Sequence, residues 1–201
     1  MSMRKLTPPT RIIPVAILAL GLAPAALAAP RTYEIDPEHF SIGFMIGHVG
    51  YEKMLGMFLE GQGSFVYDEL THDLKSGTVT IQSDSLFTNH QKRDEHVKSD
   101  DFLNVDDYGT ITFKAGKLET EDGKTGTLSG TLTMLGQTHP VELDVTLNKA
   151  AEYPFGHEEY TLGISARTTL QRSKWGMDYG VEKNLVGDEV EVILEFEAIR
   201  Q

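Results

Sequence analysis

The chain has 201 residues, with 18 Lys and Arg against 30 Asp and Glu, a net charge of −12 and no cysteine. An acidic body repels nucleic acid and anionic lipid headgroups, so neither is an expected partner. Without cysteine there are no disulfides, thiolate metal sites or thiol chemistry.

At the N-terminus, Arg4, Lys5 and Arg11 make a basic start, Ile12 to Leu22 a short apolar stretch, and Ala26-Leu27-Ala28 a small-residue cleavage pattern. The reading is a signal peptide over residues 1–28, with one mature domain over 29–201. The apolar stretch falls well short of the roughly 20 residues that cross a bilayer, and Pro14 and Pro24 interrupt it. No later stretch approaches a spanning length, so export without stable membrane insertion is expected. No linker, low-complexity run or internal repeat divides the remainder.

From there the chain alternates apolar and polar residues with period two, the mark of strands with one dry face. Phe40, Ile42, Phe44 and Ile46 alternate with Ser41, Gly43, Met45 and Gly47, and Val79 and Ile81 with Thr78, Thr80 and Gln82. The rhythm then breaks: Thr88 to Tyr108 is too polar for a buried strand. A helix over Gln91 to Lys98 would put His90, Arg93, Asp94 and Val97 on one stripe, and Ser99 would cap a second turn carrying Phe102 and Leu103. Alternation resumes with Ile111, Phe113 and Ala115, then Leu128, Leu132 and Met134, then Val141, Leu143, Val145 and Leu147. It closes with Val190, Val192, Leu194, Phe196 and Ala198, Ile193 being the one exception. Turn signals stand at Asp122-Gly123, Leu135-Gly136-Gln137 and Val186-Gly187-Asp188.

One-sidedly apolar strands must bring their dry faces together, either as a closed antiparallel barrel or as a two-sheet sandwich. Glycines in or beside strands (Gly43, Gly47, Gly56, Gly61, Gly63, Gly130) suit the coiling of a small barrel and favour closure.

A set of ordered motifs makes the chain resemble the YceI family of periplasmic polyisoprenoid-binding proteins. They begin with Tyr33-x-Ile35-Asp36, the Phe44 strand ending in His48-x-Gly50, Gly56-x-Phe58 and Gly63-x-Phe65. Thr88-Asn89-His90-x-x-Arg93-Asp94-x-His96 and Ser99-x-Asp101-Phe102-Leu103 follow, then Tyr108-x-x-Ile111-Thr112-Phe113. Gly130-x-Leu132-Thr133-x-x-Gly136-x-Thr138-x-Pro140-Val141-x-Leu143 and Val186-Gly187-Asp188-Glu189-Val190 complete the series. One departure is Gly109, where such sequences carry Pro. The resemblance implies an all-β, single antiparallel eight-stranded lipocalin-like barrel with a short helical excursion near residues 89–106. It also implies a periplasmic location and a lumen that accepts a polyisoprenoid, an isoprenoid quinone or a similar long-chain lipid, with no cofactor besides that lipid. It leaves the particular lipid and the oligomeric state, a dimer included, open.

The candidate lining residues are Phe40, Phe44, Ile46, Met54, Phe58, Phe65, Phe102, Phe113, Leu132, Met134, Leu143, Leu162, Ile164, Trp175, Leu194 and Phe196, with Met57 and Met177 as adaptable fillers. Each is also an ordinary core residue by type. Trp175 fits either a half-wet barrel mouth or a buried plug.

The polar constellation of His48, Asn89, His90, Arg93, Asp94 and His96 admits two roles: a headgroup contact, or a hydrogen-bonded clasp that pins the excursion. No nucleophile elbow, phosphate loop or HExxH motif is present, and no residue is assigned a catalytic role. His90 and His96 stand on different helix faces, and no metal site is expected. A lipid-modifying enzyme built on the His/Arg/Asp cluster and a ligand-free scaffold are the competing readings.

Overall fold

A computed structural model describes residues 29–201; the leader over residues 1–28 lies outside them. Ten strands and one α-helix follow in the order β1 (Arg31–His48), β2 (Glu52–Phe58), β3 (Gly61–Asp68), β4 (Asp73–Gln82), β5 (Leu86–Phe87), α1 (Gln91–Lys98), β6 (Thr110–Thr120), β7 (Thr125–Met134), β8 (Gln137–Glu152), β9 (Tyr160–Gln171) and β10 (Val186–Arg200).

Hydrogen-bonded neighbours run β10-β9-β8-β7-β6-β4-β3-β1, and β10 pairs again with β1, which closes an eight-stranded antiparallel barrel. The closing ladder extends from Tyr33 opposite Arg200 to His48 opposite Val186, with a bulge between Ile35 and Phe40. β1 is long enough to hold two partners on its other edge, β3 at Arg31–Glu34 and β2 at Ile42–His48. Further register shifts at Val66/Tyr67, Ala115/Leu118 and Leu147/Lys149 supply the local bends that a narrow barrel requires.

Local chemistry sets the turns. Leu135 and Gly136 both have positive φ, the signature of the two-residue turn whose twist matches the flanking strands. The Asp122 carboxylate accepts the Lys124 and Thr125 amides, and these bonds hold its pKa below the ordinary value. Val186-Gly187-Asp188, read from sequence as a turn, is instead the first part of β10. Gly187 lies flush on the Gly47 backbone, and Asp188 accepts the Ser173 amide and hydroxyl, so the ladder continues where the composition signalled a break.

Two buried clusters sit at opposite ends. Leu86, Phe102, Leu103, Ile111, Met134, Val141, Trp175 and Met177 form one, and Tyr33, Tyr67, Leu162 and Ala198 the other. The polar excursion lies across the first end. α1 occupies the predicted residues, His90 caps it through Nδ1, and Ser99 caps the following turn. Burial of Phe102 and Leu103 holds the segment down.

The second end is tied by Glu69, whose carboxylate accepts the Tyr33 hydroxyl at 2.5 Å and the Tyr160 hydroxyl at 2.6 Å. Burial and Glu69 push the Tyr33 phenol up, and Glu69 with burial pushes Tyr160 up to about 12. In the folded chain Tyr160 therefore keeps its proton where an unfolded tyrosine loses it, near 10. That contribution is complete below about pH 10 and is lost as pH rises towards 12. The melting temperature should fall over this window, and Tyr160→Phe should make the fall shallower; thermal melts across alkaline pH read this directly.

Candidate functional site

The barrel interior holds two abutting apolar cavities. The larger has a volume of about 500 Å³ and lies under the excursion; the smaller has about 190 Å³ and lies towards Tyr67 and Leu74. Ile81, Leu132, Leu170 and Val192 border both, so the two spaces meet at that girdle. The larger is of the size that holds small-molecule ligands.

An eight-stranded barrel is close to the width at which side chains fill the interior, so the space needs a cause. At Gly56 a Cβ would lie only 2.2 Å from Cζ of Phe44 on the paired strand. At Gly130 it would lie 2.3 Å from Cζ of Phe113. Both rings lie back over glycine backbone, along the wall instead of across the lumen. Phe58 tilts against Phe44 with ring centroids 5.7 Å apart and continues that lining.

Most of the predicted lining residues border this space. Phe44, Ile46, Met54, Phe58, Phe102, Met134 and Met177 face the larger cavity, and Phe65, Phe113, Leu143, Leu162, Ile164, Leu194 and Phe196 the smaller; Leu132 faces both. Phe40, Met57 and Trp175 border neither. Phe40 sits beside the β1 bulge, packed edge-on against Phe196 at 5.7 Å and over Gly61, so it thickens the wall. Met57 pairs with Phe87 at the barrel edge. Trp175 is 2% exposed, donates its indole N–H to the Leu132 carbonyl at 3.1 Å and meets the His139 ring edge-on. It is a plug.

The polar constellation divides. His48 and Arg93 border the larger cavity, whereas His90 is the helix cap and Asp94 faces Thr88. Asp94 accepts the Thr88 amide at 2.8 Å and the Thr88 hydroxyl at 2.5 Å; Arg93 donates to that hydroxyl at 2.8 Å and to the Thr88 carbonyl at 2.6 Å. This compact knot joins α1 to the end of β5. His96 also borders the cavity, bonded to Asp101 at 2.9 Å and edge-on to the Phe102 and Tyr179 rings.

Sequence reasoning missed Arg172, which is 2% exposed and borders the larger cavity. It donates to the carbonyls of Gly187 and Met177 at 2.7 Å, Tyr179 at 2.8 Å and Val186 at 3.0 Å, and burial lowers its pKa from the ordinary value. Its run Gln171-Arg172-Ser173-Lys174 reads as surface, and partners that are all backbone carbonyls leave no residue-type signal. A second arrangement unseen in the sequence is Asp36, His39 and Glu197 at the β1 bulge, the one group among the described residues with donor atoms close enough for a metal. His39 Nδ1 lies 2.6 Å from Asp36 and 3.7 Å from Glu197. The Asp36 contact raises the His39 pKa, which is the behaviour of an imidazolium between two carboxylates.

Residues 33–198 match the model of the YceI-like domain. A UPF0312 protein of Pseudomonas aeruginosa is 37% identical over 193 residues, covering 93% of this chain and 97% of its own. The structure of a YCEI protein of Campylobacter jejuni superposes with a TM-score of 0.70 at 26% identity, over 77% of this chain and 90% of that one. A polyisoprenoid binding domain from Saccharophagus degradans, implicated in plant cell wall breakdown, superposes with a TM-score of 0.62 at 13% identity, over 84% of this chain and 98% of that one.

Two substitutions probe the wall and the knot. Gly56→Val keeps a residue suited to a strand but drives the Phe44 ring into the lumen. Affinity for an alkyl tail should drop about tenfold, as if two methylenes lost their burial, with the circular dichroism spectrum unchanged. Arg93→Ala strips the Thr88 knot of two charge-assisted bonds and should destabilise the fold by about 1–3 kcal/mol in denaturant titration, while affinity for a neutral tail changes little.

Proposed function

We propose that this chain, which belongs to the YceI-like domain family, is an exported soluble carrier that holds one long apolar tail in its lumen. The tail is that of a polyisoprenoid, an isoprenoid quinone or a similar lipid. The observation that carries this reading is the pair of abutting apolar cavities running along the barrel axis beneath rings that lie back on the wall.

Burying a hydrocarbon chain there yields about 0.8 kcal/mol per methylene, and the gain has no direction. Tails of different chemistry are therefore accepted, and discrimination falls to the polar end. The binding reported for the Saccharophagus domain on the same fold supports this choice of ligand. Export rests on the basic, apolar and small-residue order of residues 1–28, and no helix among the described residues is long and apolar enough to cross a membrane. The basic, apolar and small-residue leader is what supports a periplasmic site of action.

A binding role is favoured over catalysis by the state of the His/Arg/Asp cluster. Arg93 and Asp94 are bonded to Thr88 and His90 caps its own helix, so these three serve to pin the excursion.

Organic extracts of gently purified protein, analysed by mass spectrometry, should yield one intact lipid per chain. Phe44→Asp places an unpaired carboxylate in the lumen at a cost of several kcal/mol, and the extract of that variant should be empty. A folded Phe44→Asp protein that retains the lipid would overturn the lumen assignment.

A further inference from the structure

We infer that the larger cavity selects amphiphiles with an anionic head, a carboxylate or a phosphate, and seats that head beside Arg172. This rests on the carrier reading above and adds to it the class of ligand.

The chain carries 30 acidic residues against 18 basic ones, yet no Asp or Glu borders the larger cavity. The titratable side chains that do are Arg93, Arg172, His48, His96 and Tyr179. They arrive from separate parts of the chain and converge. Arg172 holds the carbonyls of Val186 and Gly187, and Val186 pairs with His48 at the end of the closing ladder. The Arg172 guanidinium also lies 5.6 Å from the Phe102 ring centre, and His96 packs on that same ring and on Tyr179. Arg93 stands one helical turn before His96 on the same face. One end of the lumen is thus lined by basic side chains, while the carboxylates of Asp94, beside Arg93, and Asp101, beside His96, stand behind that lining.

Arg172 is the centre of this end. Arginine stays protonated in proteins, and a buried cation is costly unless a counter-charge meets it. Its bonded partners are four carbonyls and no carboxylate, which occupies four of its five N–H donors and leaves one at Nη1. Asp188 and Asp178 act on the guanidinium only from a distance, and Asp188 spends its hydrogen bonds on Ser173. The carbonyl dipoles hold the guanidinium in place; an anion in the cavity would give it a directly bonded counter-charge at the remaining Nη1 donor. A carboxylate or phosphate head brings that charge, and an alcohol or a bare hydrocarbon end does not. The negative surface still opposes docking on an anionic membrane, because surface charge and cavity charge have opposite signs here.

The test uses the full exported chain stripped of lipid, with three probes that share one tail: dodecanoate, dodecyl phosphate and dodecanol, titrated by calorimetry at neutral pH and low salt. At least one anion should bind about tenfold or more tighter than dodecanol, the gain expected from a charge-assisted contact. The two anion arms tell a carboxylate seat from a phosphate seat. Dodecanol binding as tightly as both anions would overturn the inference and leave the carrier reading standing. Failure of all three to bind would overturn the carrier reading and the inference with it. Because Arg172→Gln risks loss of the fold, His48→Gln at the exposed strand end is the companion variant; it should lower the affinity for the preferred anion more than the affinity for dodecanol, and an unchanged ratio would overturn the inference.

Discussion

The ladder between β1 and β10 is the constraint on which the molecule turns. It joins the first and last strands over nearly their whole length and removes the two free edges that an open sheet would expose. With the edges gone, every dry face points at a common axis, and the inward side chains must fill the interior or surround a space. The bulge in β1 between Ile35 and Phe40 is part of this closure. It lets a strand of 18 residues bend around a narrow barrel, and it carries the Asp36–His39–Glu197 ion cluster on its outer side.

The lumen stays open because bulk is distributed unevenly around the wall. Phe44 and Phe113 would reach across a barrel of this width if β-carbons stood where Gly56 and Gly130 are. Laid over glycine, their rings become lining. The wall atoms then lack contacts on their inner side, which forfeits dispersion energy relative to a packed core. The ends compensate: the Trp175 and Leu103 cluster closes one, and Tyr33 and Leu162 with the Glu69 bridge close the other. Buried packing is concentrated at the ends, and the two cavities lie between them.

The two connections over the larger cavity do different work. The segment from Ser83 to Gly109 is a lid knotted through Thr88, and its apolar anchors are Leu86, Phe102 and Leu103. The segment from Arg172 to Leu185 is organised by a single buried guanidinium that holds four carbonyls. The first closes the lumen; the second gives its polar end a charge.

The sequence by itself determined six of the ten strands (β1, β4, β6, β7, β8 and β10), their phase and the helical excursion; β2, β3, β5 and β9 came from the structure. Period-two alternation is a local property of the chain, and it correctly turned Phe44, Ile46, Leu143, Leu194 and Phe196 inward. Adjacent residues carry that information, so no fold is needed to read it. Only the tertiary structure decided which inward residues border space and which pack against one another. Phe40 and Trp175 have the same chemistry as true lining residues but lie at a bulge and against His139. It alone showed β10 beginning at Val186, because the Gly187–Gly47 approach joins segments far apart in the chain. It alone revealed Arg172, since four carbonyls contributed by later residues leave no trace in the sequence around it. Pattern reports direction relative to a sheet; occupancy and electrostatic partnership depend on what the other strands bring to the same point.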